Sequence, residues 1–219
     1  MGAGGFPVDL VLFGMIAAFL VLRLRSILGR RQGFERSEAP ARPPARAPEG
    51  PVIEGVAERP APARPLPDPA SPAGQALARM QRLDRSFSAA RFLEGAESAF
   101  RMIVGAFAAG QREVLRPLLS PDTFGAFDAA ITARESSGET QRTEVRAIQS
   151  ATIEAADLHG NVADIAVRFV SDQVNLTTGR DGAVLHGTDA VTEIVDLWTF
   201  ERDLGAPDPT WRLIAARSA

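Results

Sequence analysis

At 219 residues and 23.3 kDa the chain has room for one ordinary domain plus extra segments, or for two small domains. It holds no Cys and no Lys, all 24 basic residues being Arg, which excludes disulfides, thiolate nucleophiles, Cys-ligated zinc, Schiff-base lysines and a Walker A phosphate loop. The net charge of −3 is unevenly spread: residues 1–72 carry 9 Arg against 7 acids, whereas 73–219 carry 15 Arg against 20 acids, an acidic body without the basic footprint of a nucleic-acid binder.

Phe6 to Leu22 read FPVDLVLFGMIAAFLVL, broken only by Pro7 and Asp9. Counted to Leu24, the stretch is about 28 Å long as a helix, close to a hydrocarbon core of about 30 Å. No basic region precedes it, and Arg23, Arg25, Arg30 and Arg31 follow it. A cleaved signal peptide has the reverse flanks, so residues 1–24 are predicted to be a single-pass transmembrane anchor with everything after Arg23 in the cytoplasm. Residues 25–72 then read as a disordered linker. Eleven of the 16 prolines fall between 38 and 72, no apolar period survives there, and few large apolar side chains remain to bury.

From residue 73 the composition turns globular. Leu77, Met80, Leu83 and Phe87 recur at helical spacing, with Arg79, Arg82 and Arg85 on the opposite side, so a helix is predicted over 75–87. Phe92, Ala96, Ala99, Phe100, Ile103, Val104 and Phe107 mark a longer amphipathic helix ending near Gly110, and a short helix is expected from Glu113 to Leu119. Ser120-Pro121 is a helix start, a hydroxyl cap followed by Pro at the first helical position. Its stripe is Phe124, Phe127 and Ile131, and Gly138 lies past its end.

Beyond that the period becomes two. Residues 144–158 and 161–177 read as strands joined by His159-Gly160-Asn161. In the second of them Ala163, Ile165, Val167 and Phe169 share one face, while Val170, Val174 and Leu176 occupy the other. That switch predicts a bulge or bend that curls the sheet. Gly179–Gly187 reads as a loop turning at Asp181-Gly182, Ala190–Asp203 as a third strand and Trp211–Ala215 as the last. Helices followed by four antiparallel strands make the 73–219 body an α+β domain.

Catalytic chemistry finds little purchase. His159 and His186 sit in predicted turns and no GxSxG elbow occurs. Asp189, Glu193, Asp196 and Glu201 offer carboxylates, but Glu193 and Asp196 differ in strand parity and so face opposite ways. The expectation is a protein that is not an enzyme, with no catalytic, cofactor or metal residues. Membrane and partner contact read better. An apolar stripe of Leu77, Met80, Leu83 and Phe87 backed by Arg79, Arg82 and Arg85 has the character of an interfacial helix on anionic lipid, or of a domain helix with solvated arginines. Phe100, Ile103, Phe107, Phe169, Trp198, Phe200 and Trp211 are expected to form the core or to line an apolar pocket.

The run FLEGAESAFRMIVGAFAAGQREVLRPLLSPDTFGAF at 92–127 and the run DLWTFERDLGAPDPTWRLIAA at 196–216 resemble the Tim44-like domain family, through WTFERD and DP-x-W-x-L above all. The N-terminal FPVDLVLFGMIAAFLVLRLRSILGRR looks like the bacterial, membrane-anchored TimA branch. The family often has Asn before the second tryptophan, where this chain has Thr210. The resemblance implies a cone-shaped α+β fold, helices on a curled antiparallel sheet around a large apolar pocket. Mitochondrial relatives are peripheral scaffolds that couple the protein-import channel to its chaperone motor and contact acidic lipids. What it implies here is a single-pass inner-membrane adaptor with a cytoplasmic binding domain. Its partner is an unknown protein, with translocation or chaperone machinery suggested by the resemblance alone. The alternative is a carrier or sensor of lipid or another apolar ligand.

Overall fold

The computed structural model describes residues 64–218. The predicted anchor at 1–24, and the linker as far as residue 63, lie outside the described residues. Among the described residues four helices precede four strands: α1 Pro72–Leu83, α2 Ala89–Ala108, α3 Arg112–Leu115, α4 Pro121–Ser137, β1 Thr140–His159, β2 Val162–Thr178, β3 Val184–Asp203 and β4 Arg212–Ser218. The strands form one antiparallel sheet in the order β1-β2-β3-β4. Among the described residues no helix is long and apolar enough to cross a membrane.

Local chemistry sets the helix ends. Ser71, Ser88 and Ser120 each cap a helix, their hydroxyls accepting from the backbone N–H of Gly74, Arg91 and Thr123. Proline occupies the first turn of α1 and α4, where its missing N–H costs nothing. Gly138 closes α4 in the left-handed region at φ 71°, a conformation open to glycine. Arg134 donates to the carbonyls of Phe107 and Ala108 at 2.8 and 3.1 Å, satisfying orphan acceptors at the end of α2. Arg112 donates to Asp128 at 2.6 Å, to both oxygens of Glu135 at 2.9 Å and to Thr132 at 3.0 Å. It thereby clamps α3 to α4 and holds the Glu135 carboxyl below the usual carboxylate range.

The sheet is built with bends. Against β2, β1 carries one extra residue at each of three places, between Val145 and Ala147, Ile148 and Ser150, and Ile153 and Ala155. Against β2, β3 gains residues between Thr192 and Thr188, which oppose Gln173 and Asn175. Such bulges bend and twist a strand. They lie where a bend was expected, with one difference. The buried parity of β2 does not change after Phe169. Ser171 and Gln173 continue the same face at 0% exposure, and Gln173 Nε2 donates to Ser171 Oγ at 2.9 Å. The apolar pattern switches because this end of the buried face is polar, so hydrophobicity alone misplaces it.

Helices α1 and α2 pack on the face of β1. Phe100 stands at the centre, 4.6 Å from both the Phe169 and Trp198 rings. Phe100, Ile103, Phe169, Trp198 and Phe200 are buried, and Phe107 and Trp211 are partly buried against them. Burying such side chains is worth about 1.5–3 kcal/mol each. The outer edge of β4 is also occupied. Leu119 bridges Leu213, Leu213 N–H donates to the Leu118 carbonyl at 2.8 Å, and Ser120 N–H donates to the Leu213 carbonyl at 3.0 Å.

Two boundaries depart from the sequence reading. β3 starts at Val184, so much of the expected loop is strand, the turn being closed by Gly179 N–H to the Ala183 carbonyl at 2.9 Å. Residues 64–71, expected as the end of a disordered linker, are fixed to the domain. Arg64 donates to both oxygens of Glu97 at 2.5 and 3.0 Å, and a Cβ on Gly74 would come within 2.1 Å of the Asp68 carbonyl oxygen.

Candidate functional site: an aromatic cleft

Helix α1 stops at Leu83. The Asp84 side chain turns the chain there, accepting from the Ser86 hydroxyl at 2.6 Å and the Ser86 N–H at 2.8 Å. These bonds, with Arg202 at 3.2 Å, hold its carboxyl below the usual range. The turn drops Phe87 into the domain beyond the helix. An open cleft of about 350 Å³ lies between this connector, α2, Leu118, the end of β3 and Trp211 just before β4. Its floor is aromatic: Phe92 is 4.7 Å from Trp211 and 6.0 Å from Phe200, and Phe87 is 5.9 Å from Trp211. Ser86, Ser88, Ser98, Arg91 and Arg202 are its polar lining. Arg202 is mostly buried beside Asp84, and its Nε has no hydrogen-bond partner among the described residues. Arg91 is exposed. This geometry can take up a large apolar group and meet an anion at the mouth. It sets up no nucleophile and base.

Of the residues expected to form the core or line a pocket, Phe200 and Trp211 line the cleft. Phe100, Ile103, Phe169 and Trp198 are core, and Phe107 packs on Phe127 at 4.9 Å. Of the expected lipid-facing stripe, Leu77, Met80 and Phe87 are buried in the core, and Phe87 also reaches the cleft. Folding has used that stripe to hold α1 to the sheet, so it is not free to insert. Only Leu83, at 45% exposure, stays outside. Arg79 approaches Asp157 at 4.0 Å; Arg82 and Arg85 are exposed and make no ion pair among the described residues. His159, 72% exposed, lies 3.3 Å from Asp157, and His186 is exposed. Glu193 is exposed and Asp196 buried, the opposite facing their parity requires. Among the described residues no acidic or histidine cluster could hold a metal. Asp172 accepts from Gln149 at 2.5 Å.

The sequence reading missed Arg91, Gly95 and Met102 as parts of a site. A signal was present: Met102 is apolar yet stands off the buried stripe of α2, and it is 48% exposed.

No curated protein matches the chain. Among solved structures it is similar to the intermembrane space region of the chloroplast protein ARC6, with 10% identity and a TM-score of 0.42, over 58% of this chain and 94% of that one. The model of the Tim44-like domain matches residues 73–218, about two thirds of the chain and all four helices and strands except the first residue of α1, and the chain belongs to the Tim44-like domain family.

Proposed function

We propose that the chain is a membrane-tethered adaptor of the TimA type. A Tim44-like binding domain stands in the cytoplasm on an arm from an inner-membrane span at residues 6–24. The family relates it to mitochondrial import scaffolds. The observation that carries the binding role is the open aromatic cleft, whose apolar floor is unfilled by the domain's own side chains. The span's length and its arginine flank support the tether, and tethering raises the domain's effective concentration at the bilayer. Arg79, Arg82 and Arg85, with Leu83, are the groups through which the domain meets anionic lipid, by charge rather than by an inserted stripe. The partner is a protein, and its site is the cleft; the role is binding rather than catalysis.

In-cell crosslinking of the tagged full-length chain tests this reading. A specific protein adduct in the membrane fraction supports it. A chain recovered in the soluble fraction without a partner contradicts it. The second reading, uptake of a lipid or other small apolar ligand, is favoured by the cleft's volume of about 350 Å³; lipid co-purifying with the full chain and lost on filling the cleft would select it.

A further inference from the structure

The cleft is basic within an acidic body. Its lining has Arg91 and Arg202 and no Asp or Glu, whereas residues 73–219 carry 15 Arg against 20 acids. Arg202 is engaged by Asp84. Arg91 is exposed and makes no ion pair among the described residues. The mouth opens onto one face of α2, where Arg91, Gly95, Ser98 and Met102 succeed each other at helical spacing. A Cβ built on Gly95 meets nothing within 4 Å, and the residue has no positive φ. A helix interior disfavours glycine relative to alanine, so nothing inside the domain asks for it there. A bare helix surface does allow a second backbone to come close. The sheet edge nearest the cleft is closed at Leu213, since residues 118–120 already bond to it there. A visitor therefore cannot add as a strand beside the cleft and must satisfy its own backbone, which a helix does.

We propose that the cleft and the bare flank of α2 at Gly95 dock an acidic amphipathic helix of a protein partner, its large apolar side chains seating on the floor of Phe87, Phe92 and Trp211 and its carboxylates meeting Arg91 at the mouth. This rests on the adaptor reading and names the site and the chemistry of its partner.

The test uses the full chain in phosphatidylcholine nanodiscs. The probe is a labelled synthetic helix about 18 residues long, with Leu and Phe along one stripe and Glu elsewhere; a twin carries Lys in place of Glu. Anisotropy reads binding. Trp211 emission reads the site, because the other tryptophan, Trp198, is buried. The acidic helix binds with a Trp211 response, salt weakens it, and the Lys twin does not bind. Arg91→Glu weakens binding by about tenfold. Gly95→Leu, whose Cβ meets nothing within 4 Å, abolishes binding without lowering the melting temperature. Equal binding of both helices, no binding, or binding that ignores both substitutions overturns the proposal. So does a Trp211 response to phosphatidylglycerol vesicles alone, which makes the face a lipid surface. A chain that binds the helix but fails to enter nanodiscs counts against the tether only, so the two readings fail separately.

Discussion

Replacing Trp198 with Ala empties the centre of the core. Trp198 is 3% exposed, with the Phe100, Phe169 and Phe200 rings at 4.6, 6.0 and 6.3 Å. Truncating a buried tryptophan costs about 3–5 kcal/mol, the lost transfer energy plus the cavity left behind. One circumstance lowers the figure. The Trp198 Nε1 is buried with no partner among the described residues, and an unpaired buried donor costs about 1–3 kcal/mol. Truncation removes that burden, so the expected net loss is near the low end, about 3 kcal/mol. At about 2–4 °C per kcal/mol for a domain of this size, the melting temperature falls by about 6–12 °C. Trp198→Phe keeps a ring and deletes the N–H, so it should lie within about 1.5 kcal/mol of the parent. Urea unfolding followed by circular dichroism, with the slope checked for constancy, measures both variants. An Ala variant within about 1 kcal/mol of the parent refutes the core placement. A Phe variant as unstable as the Ala variant refutes the unpaired indole.

Arg64→Ala leaves the buried Glu97 carboxylate without its bidentate partner; because Arg64 is about a third exposed, the cost is discounted to about 1–2 kcal/mol. Limited proteolysis should then cut faster between residues 64 and 72, and Glu97→Gln in the same chain should restore part of the loss. Asp164 has its carboxyl pushed up by burial, so its favourable contribution exists below the ordinary value of 3.8 and is lost as pH rises through the folded value. Asp164→Asn should therefore raise the melting temperature at pH 7 and lose that advantage in acid. Asp84 and Glu135 behave oppositely. Their folded values are lowered from 3.8 and 4.5, so the stability they lend is present above those figures and disappears as pH falls through the folded values, which an acid titration of the unfolding midpoint will show. Gly187→Ala must overcome both φ 83° and the Asn175 carbonyl oxygen 2.0 Å from the new Cβ; a loss of more than about 1 kcal/mol is expected by thermal melting.

The helices were legible because their ends are written locally. Ser120-Pro121 and Gly138 bound α4 through a hydroxyl cap and a left-handed glycine, and both act within a few residues. Strand alternation likewise gave four strands in order and placed Trp198 and Phe200 on one buried face. What alternation could not show is which polar residues the fold buries, so Ser171 and Gln173 escaped notice although they continue the Phe169 face. The stripe Leu77, Met80 and Phe87 was visible, but an apolar stripe looks the same whether it meets lipid or a sheet; only the packing on β1 decides. The docking of Arg64 on Glu97, 33 residues away, has no local signature, and proline content alone suggested disorder. The cleft draws its lining from the continuous 86–102 stretch, Leu118, the end of β3 and Trp211 before β4. A site assembled from four separated segments shows in sequence only as an apolar residue out of place, which here is Met102.

Site-directed photocrosslinking in living cells tests most directly the claim that this domain works by binding a protein at its cleft. A photoreactive residue at Ser98, on the cleft wall, is compared with one at Glu154, exposed on β1. The account predicts a discrete protein adduct from Ser98, lost on Gly95→Leu, and no such adduct from Glu154. Adducts of equal yield from both positions, or lipid alone from Ser98, would contradict it.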